Sequence, residues 1–267
     1  MRTFLDLHPN YSKSRYTILP VPFDGTTSFL PGTRFGPDYL LLASTGLEEF
    51  DLNTLTYIPE DIYTHQIVEM PSLPEKVIDF VEKSIYKDIK KDKFPVVIGG
   101  EHTITFGAIK AINKKVDFTL ISIDAHFDLR DKYGGTKLNH ATIMRRISEI
   151  IPVRFIGQRV ADKEEIDYLS TNKYVGRGIE GIETDNVYIS IDLDVFDPSV
   201  EPAVSNPEVN GLFWGDIMKM LNEIYDRFNV VGFDIVELQP IGNPFFGNVV
   251  AANLLKNMII LKEKERR

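Results

Sequence analysis

Three stretches of this chain place carboxylates and imidazoles at spacings suited to metal chemistry. Asp124, His126 and Asp128 stand two apart in Asp-Ala-His-Phe-Asp, Asp192 and Asp194 stand two apart in Asp-Leu-Asp, and His102 ends Gly-Gly-Glu-His. Side chains in extended backbone alternate with a period of two, so each set is expected to project to one side. Carboxylates aligned in this way repel one another unless a cation neutralises them. Four carboxylates carry a charge of −4, which two divalent ions balance, while one ion leaves the set overcharged and none leaves it frustrated. Two such ions about 3.5–4 Å apart can share a bridging water and lower its pKa, giving hydroxide near neutral pH. The chain has no cysteine, so disulfides and thiolate metal sites are excluded. Oxygen-rich ligation with some imidazole suits Mn²⁺ better than the nitrogen- and sulfur-rich sites of structural Zn²⁺, but leaves the metal's identity open.

The elements that must position these residues are also legible. Short runs rich in Val and Ile predict strands buried on both faces over Tyr16–Val21, Pro95–Ile98, Phe118–Ile123, Val153–Ile156, Val187–Ile191 and Val230–Ile235. Helical patterns alternate with them over Pro74–Lys90, Thr105–Asn113, His140–Ile150, Lys163–Ser170, Trp214–Phe228 and Gly247–Leu261. In the first of these, Val77, Phe80, Val81, Ser84 and Ile85 share one face. Such alternation implies a single α/β domain spanning residues 1–267, three-layered (α/β/α), with a mostly parallel central sheet. Gly134–Leu138 and the proline-punctuated Asp197–Leu212 read as loops. In open parallel sheets, ligands bind beyond the carboxyl ends of the strands. The polar clusters ending at His102, Asp128, Asp194 and Glu237 all follow predicted strands.

Bulk properties narrow the function further. The 267 residues are 43% hydrophobic and 26% charged, an ordinary globular balance. No apolar run reaches the roughly 18 residues a spanning helix needs, and no signal-peptide core is evident. The expectation is a cytoplasmic protein without a membrane. The net charge of −9 disfavours nucleic acid and suits a small cationic ligand.

With these residues in view, the chain resembles the arginase/agmatinase (ureohydrolase) family. The resemblance rests on Gly-Gly-Glu-His-Thr at 99–103, Asp-Ala-His-Phe-Asp at 124–128, Ser-Ile-Asp-Leu-Asp-Val-Phe-Asp-Pro at 190–198 and Asp-Ile-Val-Glu-Leu-Gln-Pro at 234–240. Val-Pro-Phe-Asp-Gly-Thr-Thr-Ser at 21–28 and Pro-Gly-Thr-Arg-Phe-Gly-Pro at 31–37 resemble the agmatinase branch. It implies that His102 and Asp128 ligate one manganese, that His126 and Asp194 ligate a second, and that Asp124 and Asp192 bridge the two. It implies a catalytic histidine at His140, passing a proton to the leaving amine, and a guanidinium-binding carboxylate at Glu237. The physics agrees for Glu237, since a carboxylate can pair bidentately with a planar guanidinium. It also implies a homo-oligomer, trimeric or hexameric.

The implied reaction is manganese-dependent hydrolysis of agmatine to putrescine and urea, a step of polyamine biosynthesis. Aminopropylagmatine, arginine and guanidinobutyrate are alternative substrates. Asp131 and Glu208 are candidate acids for a cationic tail, and Arg130 a candidate cation for an anionic one. Two departures from the family pattern stand out. Glu101 replaces the usual aspartate before the first histidine, and Ala203–Gly211 replaces the usual glycine- and threonine-rich loop. Two rival readings are a single-zinc deacetylase on a related scaffold and a non-catalytic metal-binding homologue. The extra ligands His102 and Asp194 argue against the first. Retention of all six ligands, His140 and Glu237 argues against the second.

Overall fold

A computed structural model describes residues 2–242 and 245–265. Its centre is an eight-stranded sheet, parallel throughout, formed by β1 (Tyr16–Val21), β4 (Ile62–Thr64), β5 (Phe94–Gly99), β6 (Thr119–Ile123), β7 (Val153–Ile156), β8 (Val175–Arg177), β9 (Asn186–Asp192) and β10 (Asn229–Val236), in the order β4-β1-β5-β10-β9-β6-β7-β8. β2 (Phe50–Asp51) and β3 (Thr56–Tyr57) form a separate antiparallel hairpin.

The Val- and Ile-rich runs become strands because both faces of the sheet are covered. Along β1, Ile18 joins one apolar cluster and Leu19 the other, and Val96 and Val97 of β5 divide in the same way. One cluster takes in Leu40 and Leu41 of α1 (Gly36–Ser44), Leu221 of α6 (Trp214–Arg227) and Leu254 of α7 (Phe245–Glu265). The other takes in Val81 of α2 (Pro74–Ile89), Ile109 of α3 (Thr105–Ile112) and Ile147 of α4 (Ile143–Ser148). Each Val, Ile or Leu so buried contributes roughly 1.5–3 kcal/mol. The three-layer arrangement follows, and α5 (Lys163–Thr171) lies between β7 and β8 in the chain.

The predicted elements are all present, with shifts at their ends. On α2 the buried residues include Val77, Ile78, Val81 and Ile85, so the buried face is turned toward Ile78, and Phe80 and Ser84 of the expected face are only half-buried. The helix expected over His140–Ile150 is divided into a 3-10 turn, His140–Thr142, and then α4. Thr142, with φ −126°, breaks the α-helical path between the two parts. Helix α1 was not anticipated, since residues 31–37 count in the sequence only for their resemblance to the agmatinase branch. Pro37, however, sits in the first turn of the helix, where a missing N–H costs nothing. The edge strands β4 and β8, three residues each, are too short to show a periodicity.

One consequence governs function. β5, β10, β9 and β6 are neighbours in the middle of the sheet. His102 follows β5, Glu237 follows β10, Asp192 ends β9 and Asp124 follows β6. Parallel pairing brings all four ends to one edge.

Candidate metal centre

At that edge the six predicted ligands come together. His102 Nδ1 lies 3.1 Å from Asp128 Oδ2, 3.2 Å from Asp124 Oδ2 and 3.4 Å from Asp192 Oδ2. His126 Nδ1 lies 2.9 Å from Asp194 Oδ2 and 3.7 Å from Asp124 Oδ1. Two groups of ligand atoms, His102–Asp124–Asp192 and Asp124–His126–Asp194, are each gathered within 4.8 Å, with Asp124 common to both.

The backbone reaches this arrangement differently from the expected extended alternation. β6 ends at Ile123, and Asp128 has φ +51°, in the left-handed region. The whole run is buried apart from half-buried His126, with Phe127 and Leu129 packed into the apolar cluster on one face of the sheet. Asp192 is the last residue of β9, and Asp194 sits on a 3-10 turn, Leu193–Val195, which the Asp192 carboxylate caps by accepting from Asp194 N at 2.9 Å. Glu237 also adopts a positive φ, +66°. Backbone of this kind is uncommon for side-chain-bearing residues and clusters at functional sites.

Supporting hydrogen bonds aim the two rings. His102 Nε2 is 2.9 Å from Ser190 Oγ, Ser190 Oγ donates to Asp234 Oδ1 at 2.5 Å, and Tyr188 Oη donates to Asp234 Oδ2 at 2.9 Å. This buried relay fixes the ring so that Nδ1 faces the aspartates. His126 Nε2 lies 3.3 Å from Glu208 Oε1 and 3.2 Å from Asn206 Nδ2. Gly100 permits the close approach of the segments that follow β5 and β1, because a Cβ there would lie 1.9 Å from Phe23 O.

Charge balance inside the cluster calls for cations. Burial, with repulsion from Asp124, pushes the Asp128 carboxyl up to about 7. Burial and repulsion from Asp194 and Asp124 push Asp192 well up, and burial and Asp124 also raise Asp194. Burial opposes a charge on His102, yet Asp124, Asp128 and Asp192 together pull its pKa well above the ordinary imidazole value. His102 Nδ1 and Asp124 Oδ2 are buried and have no hydrogen-bond partner. Lone pairs of this kind, facing one another among buried carboxylates, fit metal coordination, since buried polar atoms otherwise find hydrogen bonds.

A cavity of about 240 Å³ opens over the cluster, and its lining includes Ser28, His140, Asn206, Glu208 and Glu237. Glu237 accepts from His102 N at 2.8 Å through Oε1 and from Ser205 Oγ at 3.0 Å through Oε2. Burial first, and repulsion from Glu101 next, push its carboxyl up to about 8. His140 Nε2 is 3.1 Å from Ser28 Oγ, and His140 N donates to Thr26 Oγ1 at 3.1 Å. Burial pushes the His140 imidazole down to about 4, and an opposing hydrogen bond with Thr26 does not offset it.

Glu101 does not turn to the ligand cluster, as its neighbour His102 does. Its carboxylate accepts from Thr26 N at 2.7 Å and from the hydroxyls of Thr26 and Thr103. The extra methylene therefore serves the loop that holds His140. Asp131 is absent from the cavity lining and is taken up by Arg146 at 3.1 Å and Lys137 at 3.4 Å. Of the two acids considered for a substrate tail, Glu208 is the one in the cavity wall. Arg130 lines the cavity too, paired with Asp162 at 3.3 Å. Arg159 went unnoticed in the sequence. No spacing announces it, because its partners are main-chain carbonyls.

Fold and site together define a hydrolase of the ureohydrolase class. The sequence profile of the arginase family matches residues 14–260, and the chain belongs to that family, whose members are metal-dependent. An N(1)-aminopropylagmatine ureohydrolase of Thermus thermophilus is 33% identical over 271 residues, covering 94% of this chain and 92% of the relative. An agmatinase of Pyrococcus horikoshii is 34% identical over 262 residues, covering 90% and 89%. The crystal structure of the agmatine ureohydrolase of Thermoplasma volcanium superposes with a TM-score of 0.87 at 31% identity, covering 99% of this chain and 95% of that one.

Proposed function

We propose that this protein is an agmatinase-type ureohydrolase that converts agmatine and water to putrescine and urea. The observation that carries this reading is a single cavity in which Glu237, His140 and Glu208 face the aspartates of the cluster. In this reading His102 and Asp128 would hold one Mn²⁺ and His126 and Asp194 the other, with Asp124 and Asp192 as the carboxylates that would serve both. The sharing of Asp124 between the two groups supports its place. Bound there, the ions supply Lewis-acid activation of water near neutral pH.

The residues of the chain do the rest. Burial favours a neutral Glu237, but an arriving guanidinium cation favours its ionised form, and each oxygen then retains a lone pair after its bond to His102 N or Ser205 Oγ, so the carboxylate can grip two guanidinium N–H groups in one plane. This holds the guanidinium carbon over the aspartates. Water adds to that carbon, the bond to the alkyl nitrogen breaks, and the departing nitrogen takes a proton. His140 is neutral at pH 7 by its depressed pKa, so it serves as a shuttle that accepts a proton before delivering it. Ser28 and Thr26 hold its ring and backbone for that task.

Agmatine ends in an ammonium, and the Glu208 carboxylate in the wall suits such a tail. Aminopropylagmatine is the second reading, favoured by the name of the Thermus relative and by the same tail chemistry. A homo-oligomer of three or six chains in the cytoplasm belongs to this reading on family resemblance. Among the described residues, no helix is long and apolar enough to cross a membrane.

A urea-release assay with Mn²⁺ across agmatine, aminopropylagmatine, arginine and guanidinobutyrate tests the assignment. Agmatine is expected to exceed arginine at least ~10-fold in kcat/KM, a difference of about 1.4 kcal/mol in transition-state binding. Equal or faster turnover of arginine overturns it, and a clear preference for aminopropylagmatine moves the assignment to the second reading.

A further inference from the structure

Arg159 is half-buried behind the cavity wall and does not line the cavity. Its guanidinium gathers main-chain carbonyls from two separate segments. From the turn carrying the ligand Asp194 it takes Asp194 O at 2.7 Å, Val195 O at 3.1 Å and Phe196 O at 3.3 Å. From the loop carrying Asn206 and Glu208 it takes Glu208 O at 2.9 Å and Val209 O at 3.0 Å. Its own main chain is anchored to a third segment, since Arg159 N and Val160 N both donate to Ala125 O, between Asp124 and His126. The anchorage is tight. Gly157, at φ +98°, packs so closely that a Cβ would lie 2.5 Å from Val195 Cγ2 and 3.0 Å from Asp124 O.

Among the described residues, no other hydrogen bond ties the main chain of residues 206–209 to the body of the protein. Asn206 and Glu208 reach His126 only through side-chain contacts of 3.2 and 3.3 Å. Pro207 contributes no N–H donor. Four carboxylates besides Glu208 line this cavity, namely Asp128, Asp192, Asp194 and Glu237. The first three belong to the ligand cluster, and Glu237 faces the guanidinium in the reading above. Glu208 has one oxygen on His126 Nε2, and among the described residues nothing meets its second oxygen, which faces the cavity a cation would enter.

We infer that Arg159 is a positioning residue for substrate selection: it fixes the Asn206–Glu208 wall at a set distance from Asp194, and so places the Glu208 carboxylate where the cationic tail of the guanidine ends. A guanidinium is suited to this work. Its planar fork of five N–H donors can reach several carbonyls at once, while a lysine ammonium offers three donors at a single point. The inference rests on the reading of the protein as a ureohydrolase of cationic guanidines, and it adds which residue sets the selectivity and through which loop.

The test uses the full-length, manganese-loaded protein and two substrates that share a four-carbon chain, agmatine and butylguanidine, which lacks the terminal ammonium. The ratio of their kcat/KM values cancels effects on the metals and on the chemical step. Glu208→Gln, which keeps an oxygen for His126 and removes the charge, is expected to lower this ratio about 10-fold. Arg159→Lys is expected to lower it by a similar factor, and the double variant should fall no further than either single one. An unchanged ratio in Arg159→Lys, with both substrates slowed equally, overturns the inference. So does a double variant in which the two factors multiply, because Arg159 then acts independently of Glu208.

Hydrogen–deuterium exchange gives a reading that needs no activity. In Arg159→Lys, residues 205–211 should exchange faster while the strands of the sheet keep their protection. Unchanged exchange in that loop overturns the clamp. If Arg159→Lys does not fold, Arg159→Gln, which retains a single amide donor group, is measured by the same exchange and ratio experiments. A wild-type protein that releases no urea from any guanidine refutes the proposed function instead, and the exchange experiment still decides whether Arg159 holds the loop.

Discussion

Ser190 Oγ lies 2.9 Å from His102 Nε2, and through it the buried Asp234 carboxylate sets the direction in which His102 presents its other nitrogen. Ser190 is two residues before Asp192, in the same strand, so one strand supplies both a proposed ligand and the support for another proposed ligand. Burial pushes the Asp234 carboxyl up to about 6, against hydrogen bonds from Ser190, Tyr188 and Thr105 that favour the anion. The hydroxyl of Ser190 is therefore flanked by two groups that each need it.

Replacing Ser190 with alanine removes that support without removing a ligand. Manganese affinity is expected to fall by about 10- to 100-fold, the usual consequence of losing the group that orients a ligating histidine. Isothermal titration of the metal-free protein with Mn²⁺ reads this directly. An affinity unchanged within a factor of two shows that the ring is held by packing alone.

Thr26 joins Glu101 to His140. Its hydroxyl donates to the Glu101 carboxylate and accepts from His140 N. Thr26→Val keeps the shape of the side chain and removes both bonds. We expect kcat for urea release to fall at least ~10-fold, within the range that a misplaced general acid–base group commonly costs. Bound manganese per chain, measured by elemental analysis, should stay the same. A loss of metal in parallel with activity contradicts the assignment of this network to His140.

Far from the site, Asp88 of α2 is fully buried and accepts from Tyr11 Oη at 2.7 Å and His65 Nε2 at 2.8 Å. Burial raises its pKa, but the hydrogen bond and charge of His65, with help from Tyr11, outweigh burial and hold it below the usual carboxylate value. A carboxyl depressed in the folded state adds stability above its unfolded pKa, and that contribution is lost as pH falls through the folded pKa. Asp88→Asn is expected to cost about 1.5–3 kcal/mol at pH 7, the range for hydrogen bonds to a charged group. The gap in Tm between wild type and variant should narrow below about pH 4. A gap that stays constant from pH 7 to pH 3 contradicts a charged Asp88.

The cluster of six acid and imidazole side chains was legible because metal chemistry calls for such residue types at short spacings, and the strands were legible because burial on both faces demands Val and Ile runs such as Val187–Ile191. What escaped reading depended on contacts between distant segments. Arg159 meets only main-chain carbonyls, which carry no sequence signal. Glu101 looked like a variant neighbour of a ligand, but its partner Thr26 lies 75 positions away. Asp131 was considered for the tail on proximity in sequence, yet Arg146 and Lys137 draw its carboxylate off. The turn at Asp192–Asp194 differed from the expected strand alternation because the Asp192 side chain caps its own 3-10 turn.

The most direct test counts metal and product together. Protein stripped of metal is titrated with Mn²⁺ while bound ions per chain and urea released from agmatine are followed, alongside His126→Asn. The expected result is about two ions per wild-type chain, with urea release rising as the second binds, and loss of both the second ion and the activity in His126→Asn. A folded wild-type chain that takes up no manganese, or one whose urea release survives His126→Asn, contradicts a pair of cations held by these six side chains.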